Sequence, residues 1–220
     1  MRFLYRSAIL ISTIAGAVCC AFGQDEIQLV DIKEADPTIV IDLRYASPNN
    51  IAGHPLYSRA ARALTRREVA QRLVTAQTFL RRYNFGLKIW DAYRPKSVQV
   101  QLWQAAKNND FVANPDAGAG SLHSWALAVD ATLVDNWYRP VTMPTDFDDF
   151  TPAAMWVYKG SDPVIRTHLE LLQIMMRRAG FYGLRAEWWH FTIENWQNYL
   201  PPEEAKRAEE AIESQLQGTL

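Results

Sequence analysis

The chain has 220 residues, of which 49% are hydrophobic, 12% aromatic and 21% charged, and this composition is typical of one globular domain. It carries 23 basic and 24 acidic residues and a formal net charge of -1. The strongly basic surface of nucleic-acid-binding proteins is therefore not expected. We expect a small-molecule partner and no nucleic acid.

The first 23 residues have the three-part layout of a secretory signal. Basic residues precede an apolar run that ends at Cys20, and small residues precede a cleavage site after Gly23. We expect a signal peptide over 1–23, an exported periplasmic protein, and no stable membrane association after signal removal. An uncleaved anchor, or a lipid on Cys19 or Cys20, is the alternative. Without these two cysteines, any metal must be held by His, Asp or Glu.

One domain is expected over 24–200, followed by a peripheral helix or tail over 201–220. Apolar periodicity and turn residues predict, in chain order, a strand over 38–45, a helix from a Thr65/Glu68 capping box to Tyr83, a strand over 87–90, a helix over 97–108, a strand over 127–134, a helix from Pro163 to Gly180, and a strand over 184–193. This irregular mixture predicts an α+β fold with an antiparallel sheet and flanking helices. The long polar connection over 135–162 is of a length that usually covers a site.

Histidine and acidic residues occur together in two short segments. Ser121 to Asp130 contains His123 and Asp130, and a second segment contains Glu187 and His190. Two imidazoles and a carboxylate are sufficient ligands for a catalytic zinc ion with one open position, and the remaining carboxylate could act on a water molecule. By spacing alone, structural roles in aromatic surroundings remain open for these residues.

A shared metal ion makes a demand on the backbone. His123 and Asp130 are seven residues apart, which is about 23 Å along a straight strand, and they would face opposite sides of a sheet. The chain must therefore turn back between them, at residues 124–126. Glu187 and His190 also have opposite parity, so we expect a bend or bulge near Trp188.

Three motifs occur in order along the chain. They are Ser-x-His-x-x-Gly-x-Ala-x-Asp, matched at Ser121, His123, Ala128 and Asp130; Asp-x-Tyr-Arg-Pro, matched at Asp91, Tyr93, Arg94 and Pro95; and Glu-x-Trp-His, matched at Glu187, Trp189 and His190. In these motifs the chain resembles the zinc D-alanyl-D-alanine dipeptidases, a branch of the zinc D,D-peptidase superfamily. Residues 42–50 look like the N-terminal segment of the dipeptidase branch, so the resemblance covers about 42–195.

The resemblance implies a zinc D,D-peptidase (hedgehog-like) fold and a substrate, D-Ala-D-Ala, that is hydrolysed with the help of one zinc ion per chain. It implies the following roles: metal ligands His123, Asp130 and His190; catalytic residues Glu187, as the base, and Arg94, beside the oxyanion; and substrate-binding residues Ser121 and Asp148. A carboxylate such as that of Asp148 suits a free amino terminus.

Two positions depart from the family pattern, because Ala126 and Pro144 stand where the family has glycine. Alanine adopts a left-handed backbone only at a cost, so the turn at Ala126 must be one that alanine tolerates. Two other functions remain open. One is a D,D-carboxypeptidase acting on larger cell-wall peptides, and the other is a non-catalytic zinc- or peptidoglycan-binding module. Glu187 and Arg94 argue against the module, which has no need of a base.

Overall fold

A five-stranded sheet is the scaffold of the protein in the computed structural model, which describes residues 27–106 and 111–207. The strands are β1 (Leu29–Asp31), β2 (Val40–Ile41), β3 (Leu64–Arg66), β4 (Phe85–Asp91), β5 (Ala128–Asp135), β6 (Phe181–Leu184) and β7 (Glu187–Ile193). The α-helices are α1 (Ile32–Ala35), α2 (Arg67–Arg81), α3 (Lys96–Ala105) and α4 (Pro163–Arg178), and short 3-10 helices span Arg44–Ala46, Leu122–Trp125, Pro152–Ala154 and Trp196–Tyr199.

The strand order in the main sheet is β2-β4-β5-β7-β6, and β1 pairs with β3 in a separate two-stranded sheet. The pairs β4–β5, β5–β7 and β7–β6 are antiparallel, whereas the short edge strand β2 runs parallel to β4. The predicted α+β class is confirmed, with one parallel edge strand added to the antiparallel sheet.

Helices and the long connection bury the centre of this sheet. α2 and α4 pack on each other, α2 on β4, and α4 on β5 and β6. Within the predicted connection over 135–162, Phe147 packs against Trp90 of β4 and Trp189 of β7. Every β5 residue from Ala128 to Val134 is consequently buried. The polar side chains that β5 carries therefore need partners within the protein.

The predicted capping box at the start of α2 is wrong. α2 begins at Arg67, and its N-cap residue Arg66 makes no side-chain cap. Thr65 lies in β3, and its hydroxyl donates to the carbonyl of Ala126 at 3.1 Å. Thr65 lies one residue before the N-cap position and its hydroxyl is used by Ala126, so a tertiary contact took precedence over the local motif. The predicted apolar face is buried as far as Leu80, and Tyr83, beyond the helix, is exposed.

Two predicted strands have different limits in the structure. The strand over 38–45 is reduced to Val40–Ile41, because the following residues turn inward as a 3-10 helix. The strand over 184–193 is a hairpin, in which β6 and β7 are separated by Arg185 and Ala186. Both differences lie where the chain approaches the cluster of histidine and acidic residues.

Both ends of the sequence fall outside the described residues. The predicted signal peptide over 1–23 lies there, as does most of the predicted tail, although residues 202–207 are helical. None of the helices in the described part of the chain has the length and hydrophobicity needed to cross a bilayer.

Candidate active site

A tight turn joins His123 to the central strand β5. The 3-10 helix Leu122–Trp125 starts at Ser121, whose Oγ accepts a hydrogen bond from His123 N at 3.3 Å. Ala126 then has φ 56° and ψ 34°, and the chain reverses into β5. This places Asp130 Oδ1 3.3 Å from His123 Nε2. The predicted turn is confirmed, and an alanine occupies its left-handed position.

Neighbouring backbone and side-chain groups hold Ala126 in this conformation. Its N–H donates to the carbonyl of His123 at 3.0 Å, and its own carbonyl accepts from Thr65 Oγ1 at 3.1 Å. Its side chain is completely buried. A left-handed alanine costs about 1–2 kcal/mol, and these interactions offset that cost. The replacement of the family glycine therefore leaves the ligand positions intact.

An irregularity in β7 brings its acid and its histidine to one side. Gly183 of β6 pairs with Phe191, but the next residue, Leu184, pairs with Glu187. One step along β6 thus corresponds to four along β7, and β7 bulges between its paired residues. As a result, Glu187 Oε2 lies 4.0 Å from His190 Nδ1. The bulge predicted near Trp188 is confirmed.

Three potential metal-ligand atoms form a nearly equilateral triangle. Asp130 and His190 are directly opposite each other in the β5–β7 pair. His190 Nδ1 lies 3.2 Å from Asp130 Oδ1 and 3.2 Å from His123 Nε2, and the third side measures 3.3 Å. Tetrahedral zinc with bonds of about 2.0–2.1 Å requires ligand atoms roughly 3.3 Å apart. The three residues therefore fit a divalent metal ion without rearrangement.

The outer nitrogen of each imidazole has its own partner. His123 Nδ1 lies 2.8 Å from the carbonyl oxygen of Ala92, which can only accept a hydrogen bond. His190 Nε2 lies 3.1 Å from Thr192 Oγ1. When these outer nitrogens carry the protons, the inner nitrogens present lone pairs to each other and to the carboxylate. Such a cluster of acceptors is favourable only with a cation among them.

The electrostatic environment supports the same conclusion. Burial works to raise the pKa of Asp130, but the two histidines outweigh it and hold that pKa well below its usual range. Burial lowers the pKa of His190 and thereby favours the neutral imidazole, which is the form that binds metals. Asp130 and His190 therefore favour the protonation states in which a carboxylate and an imidazole bind a metal ion.

Glu187 is a buried carboxyl group beside this triangle. Burial raises its pKa well above the usual value, and the negative charges of Asp130 and Asp148 raise it further. A carboxyl group with a raised pKa holds a transferred proton more readily than an exposed carboxylate does, and it can act as a general base and then as a general acid.

Arg94 is fixed at the edge of the site by a buried network. Its Nε and Nη2 donate to Asp91 Oδ2 at 2.8 and 2.7 Å, and its Nη1 donates to Gln99 Oε1 at 2.8 Å. Tyr57 donates to the other oxygen of Asp91 at 2.6 Å. Arg94 Nη2 also lies 3.5 Å from Asp130 Oδ2. Burial alone would lower the pKa of Arg94, but Asp91 raises it, so the guanidinium stays charged.

The structure brings Asp148 to the same site. Its Oδ1 accepts from the Tyr45 hydroxyl at 3.2 Å, and its Oδ2 accepts from the backbone N–H of Ile51 at 2.9 Å. Burial raises its pKa to about 6, and Arg94 and Asp130 act on it as nearby charges. Among the described residues, no basic side chain forms an ion pair with Asp148. It is a half-buried carboxyl group that forms no ion pair within the described part of the chain.

Sequence reasoning missed the residues that support the site. Tyr45 holds Asp148, and Tyr57 and Gln99 hold the Asp91–Arg94 pair. Tyr45 lies in the segment that resembles the dipeptidase branch, which was an available signal. No sequence signal pointed to Tyr57, whose partner Asp91 is 34 residues away, or to Gln99, which looks like an ordinary helical residue of α3. Pro144, the second departure from the family pattern, lies in a loop that contacts β7, where Trp188 Nε1 donates to Thr145 Oγ1 at 2.9 Å.

A metal-binding triangle with a carboxyl group of raised pKa beside it is the arrangement of metal-dependent hydrolases. Comparison with known sequences then narrows this class. The profile of the Peptidase M15 family, described as D-Ala-D-Ala dipeptidase, matches residues 25–202, and the chain belongs to this family.

Curated relatives match over most of their length. A D-alanyl-D-alanine dipeptidase of Escherichia coli (strain K12) is 32% identical over 175 residues, which cover 80% of this chain and 89% of the relative. Proteins of the same name from Enterococcus faecalis (strain ATCC 700802 / V583) and Enterococcus faecium are 28% and 25% identical, and the matches cover 84% and 85% of those proteins. The protein is thus a peptidase.

Proposed function

We propose that this protein is a zinc-dependent dipeptidase that hydrolyses D-Ala-D-Ala to two molecules of D-alanine. The observation that carries the proposal is the triangle of His123, Asp130 and His190, with Glu187 beside it. Family membership and the shared name of the relatives support the substrate. Two imidazoles and one carboxylate support zinc as the metal, at one ion per chain, with a position left open for the reaction.

Glu187 is the proton carrier in this proposal. When bound, zinc would polarise the scissile carbonyl and lower the pKa of a water molecule at the site. Glu187 takes one proton from the attacking water as the new C–O bond forms. It then delivers that proton to the leaving nitrogen as the C–N bond breaks. Its raised pKa favours the second transfer, because burial and the neighbouring carboxylates help the carboxyl group to hold the proton between the two steps.

Arg94 stabilises the oxyanion that develops on the scissile carbonyl. A guanidinium group has five N–H donors, and the strong hydrogen bonds to Asp91 and Gln99 use three of them. The remaining donors lie at the site edge and can meet negative charge. Because Arg94 is already fixed by its network, it needs no reorganisation during the reaction.

Asp148 binds the free amino group of the substrate, and Ser121 helps to hold the substrate beside the ligand turn. Asp148 is a half-buried carboxylate that forms no ion pair among the described residues, so it can gain a charge-assisted hydrogen bond from an incoming ammonium group. The segments that carry Tyr45 and Ile51 close over Asp148 through their hydrogen bonds. Recognition of a free ammonium group selects a dipeptide over a longer peptide, whose corresponding nitrogen is an uncharged amide, and this favours a dipeptidase over a D,D-carboxypeptidase.

The test is release of D-alanine from two substrates by the zinc-loaded protein. D-Ala-D-Ala should be cleaved, activity should be lost with a chelator, and it should return with zinc. A cell-wall pentapeptide should release little D-alanine. Cleavage of the pentapeptide alone would show a carboxypeptidase instead. No release from either compound would leave a non-catalytic zinc- or peptidoglycan-binding module.

We also propose that the protein is exported to the periplasm, with the signal peptide ending at Gly23, the catalytic domain over 24–200 and a peripheral tail over 201–220. The charge and apolar pattern of the first residues supports this organisation. The mass of the protein recovered from the periplasmic fraction should correspond to a chain that begins at Gln24. A chain that retains Met1 in the membrane fraction would show an uncleaved anchor.

A further inference from the structure

Arg44 is a buried arginine that the chemistry above does not use. Its side chain is 8% exposed, and its Nη1 and Nη2 donate to the two carboxylate oxygens of Asp146 at 2.8 and 3.1 Å. Its Nε donates to the carbonyl of Asn49 at 3.2 Å, and its guanidinium lies 5.5 Å from the ring centroid of Trp90. Burying a guanidinium is costly unless each donor is matched. This arrangement matches all three nitrogens.

Asp146 starts a three-residue strip, Asp146–Phe147–Asp148, whose side chains have separate partners. Phe147 is buried among aromatic rings, with its centroid 5.4 Å from that of Tyr45. Asp146 Oδ1 accepts from the backbone N–H of Phe147 at 2.8 Å as well as from Arg44. The Asp146 carboxylate therefore joins Arg44 to the backbone directly before Asp148.

Asp148 needs such support because its own backbone is in an unfavourable conformation. Its φ is 58°, in the left-handed region, which costs a residue with a Cβ about 1–2 kcal/mol. The segment that carries Arg44 also supplies Tyr45 and Ile51, the two hydrogen-bond donors to Asp148. Both ends of the strip are thus tied to the same segment.

The Arg44–Asp146 ion pair also gives the two acids of the strip different electrostatic environments. Arg44 neutralises Asp146, whose carboxylate is partly exposed, whereas Asp148 forms no ion pair among the described residues. The side chain of Asp146 is 62% exposed, so its pairing with a buried arginine is not needed to shield it. One acid is thereby committed to the structure, and the other stays available for a ligand.

We propose that Arg44 and Asp146 are positioning residues for recognition of the substrate's amino group. Their ion pair holds the strip so that the Asp148 carboxylate meets the ammonium group, while neither residue touches the substrate. This proposal rests on the proposed dipeptidase function. Loss of the pair should weaken binding of the ammonium group and leave the bond-breaking step intact.

The test compares Asp146→Ala with the unchanged protein on two compounds. One is D-Ala-D-Ala, and the other is propionyl-D-alanine, which lacks only the amino group. Because a charge-assisted hydrogen bond is at stake, the KM for D-Ala-D-Ala should rise about tenfold or more, with kcat changed less than about twofold. The kcat/KM for propionyl-D-alanine, already lower in the unchanged protein, should not change.

Further variants separate positioning from simple stability. Arg44→Met should reproduce the Asp146→Ala effect, and the double variant should be no worse than either alone, because the pair acts as a unit. Arg44→Lys keeps the charge without the bidentate geometry, so its KM for D-Ala-D-Ala should lie between those of the unchanged protein and Arg44→Met. Asp42→Ala is the matched control, because it removes the acid of a half-exposed pair with Lys88 at 3.5 Å. It should leave both substrates unaffected.

Two results would count against the proposal in distinguishable ways. If the variant loses activity on both compounds in the same proportion, the pair has only a structural role and positioning is refuted. If the unchanged zinc-loaded protein does not cleave D-Ala-D-Ala, the dipeptidase function itself is refuted, and this proposal falls with it.

Discussion

Replacing Asp148 by asparagine is expected to stabilise the metal-free protein at neutral pH. Burial is the main reason that the pKa of Asp148 is raised to about 6. An aspartate in an unfolded chain has a pKa of about 3.9. Asparagine has nearly the same size and can still accept from Ile51 N–H and meet the Tyr45 hydroxyl. The substitution therefore removes a half-buried charge with little change in packing.

The size of the effect follows from the difference in pKa. Two units correspond to about 3 kcal/mol of folding free energy. Below the unfolded pKa, Asp148 is protonated in both states and costs nothing. As pH rises, the unfolded state loses its proton first, so stability is lost progressively until pH passes the folded pKa of about 6. Between about pH 4.5 and 7.5 the loss amounts to about 2 kcal/mol.

Urea unfolding of chelator-treated protein at these two pH values measures this quantity. The difference in free energy of unfolding between Asp148→Asn and the unchanged protein should shift by about 2 kcal/mol in favour of the variant at the higher pH. Comparing differences cancels the titration of groups that do not interact with Asp148. The variant also lacks the charge that helps to raise the pKa of Glu187, and this change favours the variant at the higher pH as well. Asp149→Asn removes one charge from the same loop and controls for net charge. A difference that does not vary with pH would refute the reasoning.

Four further variants test a proposed metal ligand and the residues that support the site. His123→Ala should lose bound zinc, because only two ligands remain, and one zinc per chain in that variant would remove His123 from the ligand set. Ala126→Gly should keep zinc and unfold within about 1 kcal/mol of the unchanged protein, since relief of strain is offset by a freer unfolded chain. Ala126→Val, in contrast, should lose about 2 kcal/mol or more in thermal unfolding, because a β-branched residue fits the left-handed region poorly. Tyr57→Phe removes a 2.6 Å hydrogen bond to Asp91 and should lower the free energy of unfolding by about 1.5–3 kcal/mol. It should also lower kcat, because Asp91 then holds Arg94 less firmly. An unchanged kcat would show that Tyr57 acts on stability alone.

Much of the fold near the site was predictable because geometry constrained it. Once His123 and Asp130 were assigned to one ion, a reversal between them was required, and the turn at Ala126 supplies it. The same reasoning required a bulge in the strand that carries Glu187 and His190. Two residues that bind the same metal ion must lie within a few ångström of each other. This requirement restricts the backbone more strongly than local secondary-structure propensity does.

What the sequence did not predict depends on contacts between distant segments. Thr65 fits a capping box locally, yet its hydroxyl serves Ala126, 61 residues away. Arg44 and Tyr45 continue an alternating strand pattern, but they leave the sheet to meet Asp146 and Asp148, about a hundred residues on. Local patterns carry no record of such partners, so tertiary contacts override them.

Glu187→Gln tests the central claim most directly, by measuring bound zinc and D-alanine release from D-Ala-D-Ala on the same sample. Glutamine keeps the size of the side chain but cannot accept and return the proton. The variant should retain one zinc per chain and lose turnover by roughly a hundredfold to ten-thousandfold. Turnover near that of the unchanged protein, or loss of the metal with the charge, would contradict the role of Glu187 as the proton carrier beside a metal held by His123, Asp130 and His190.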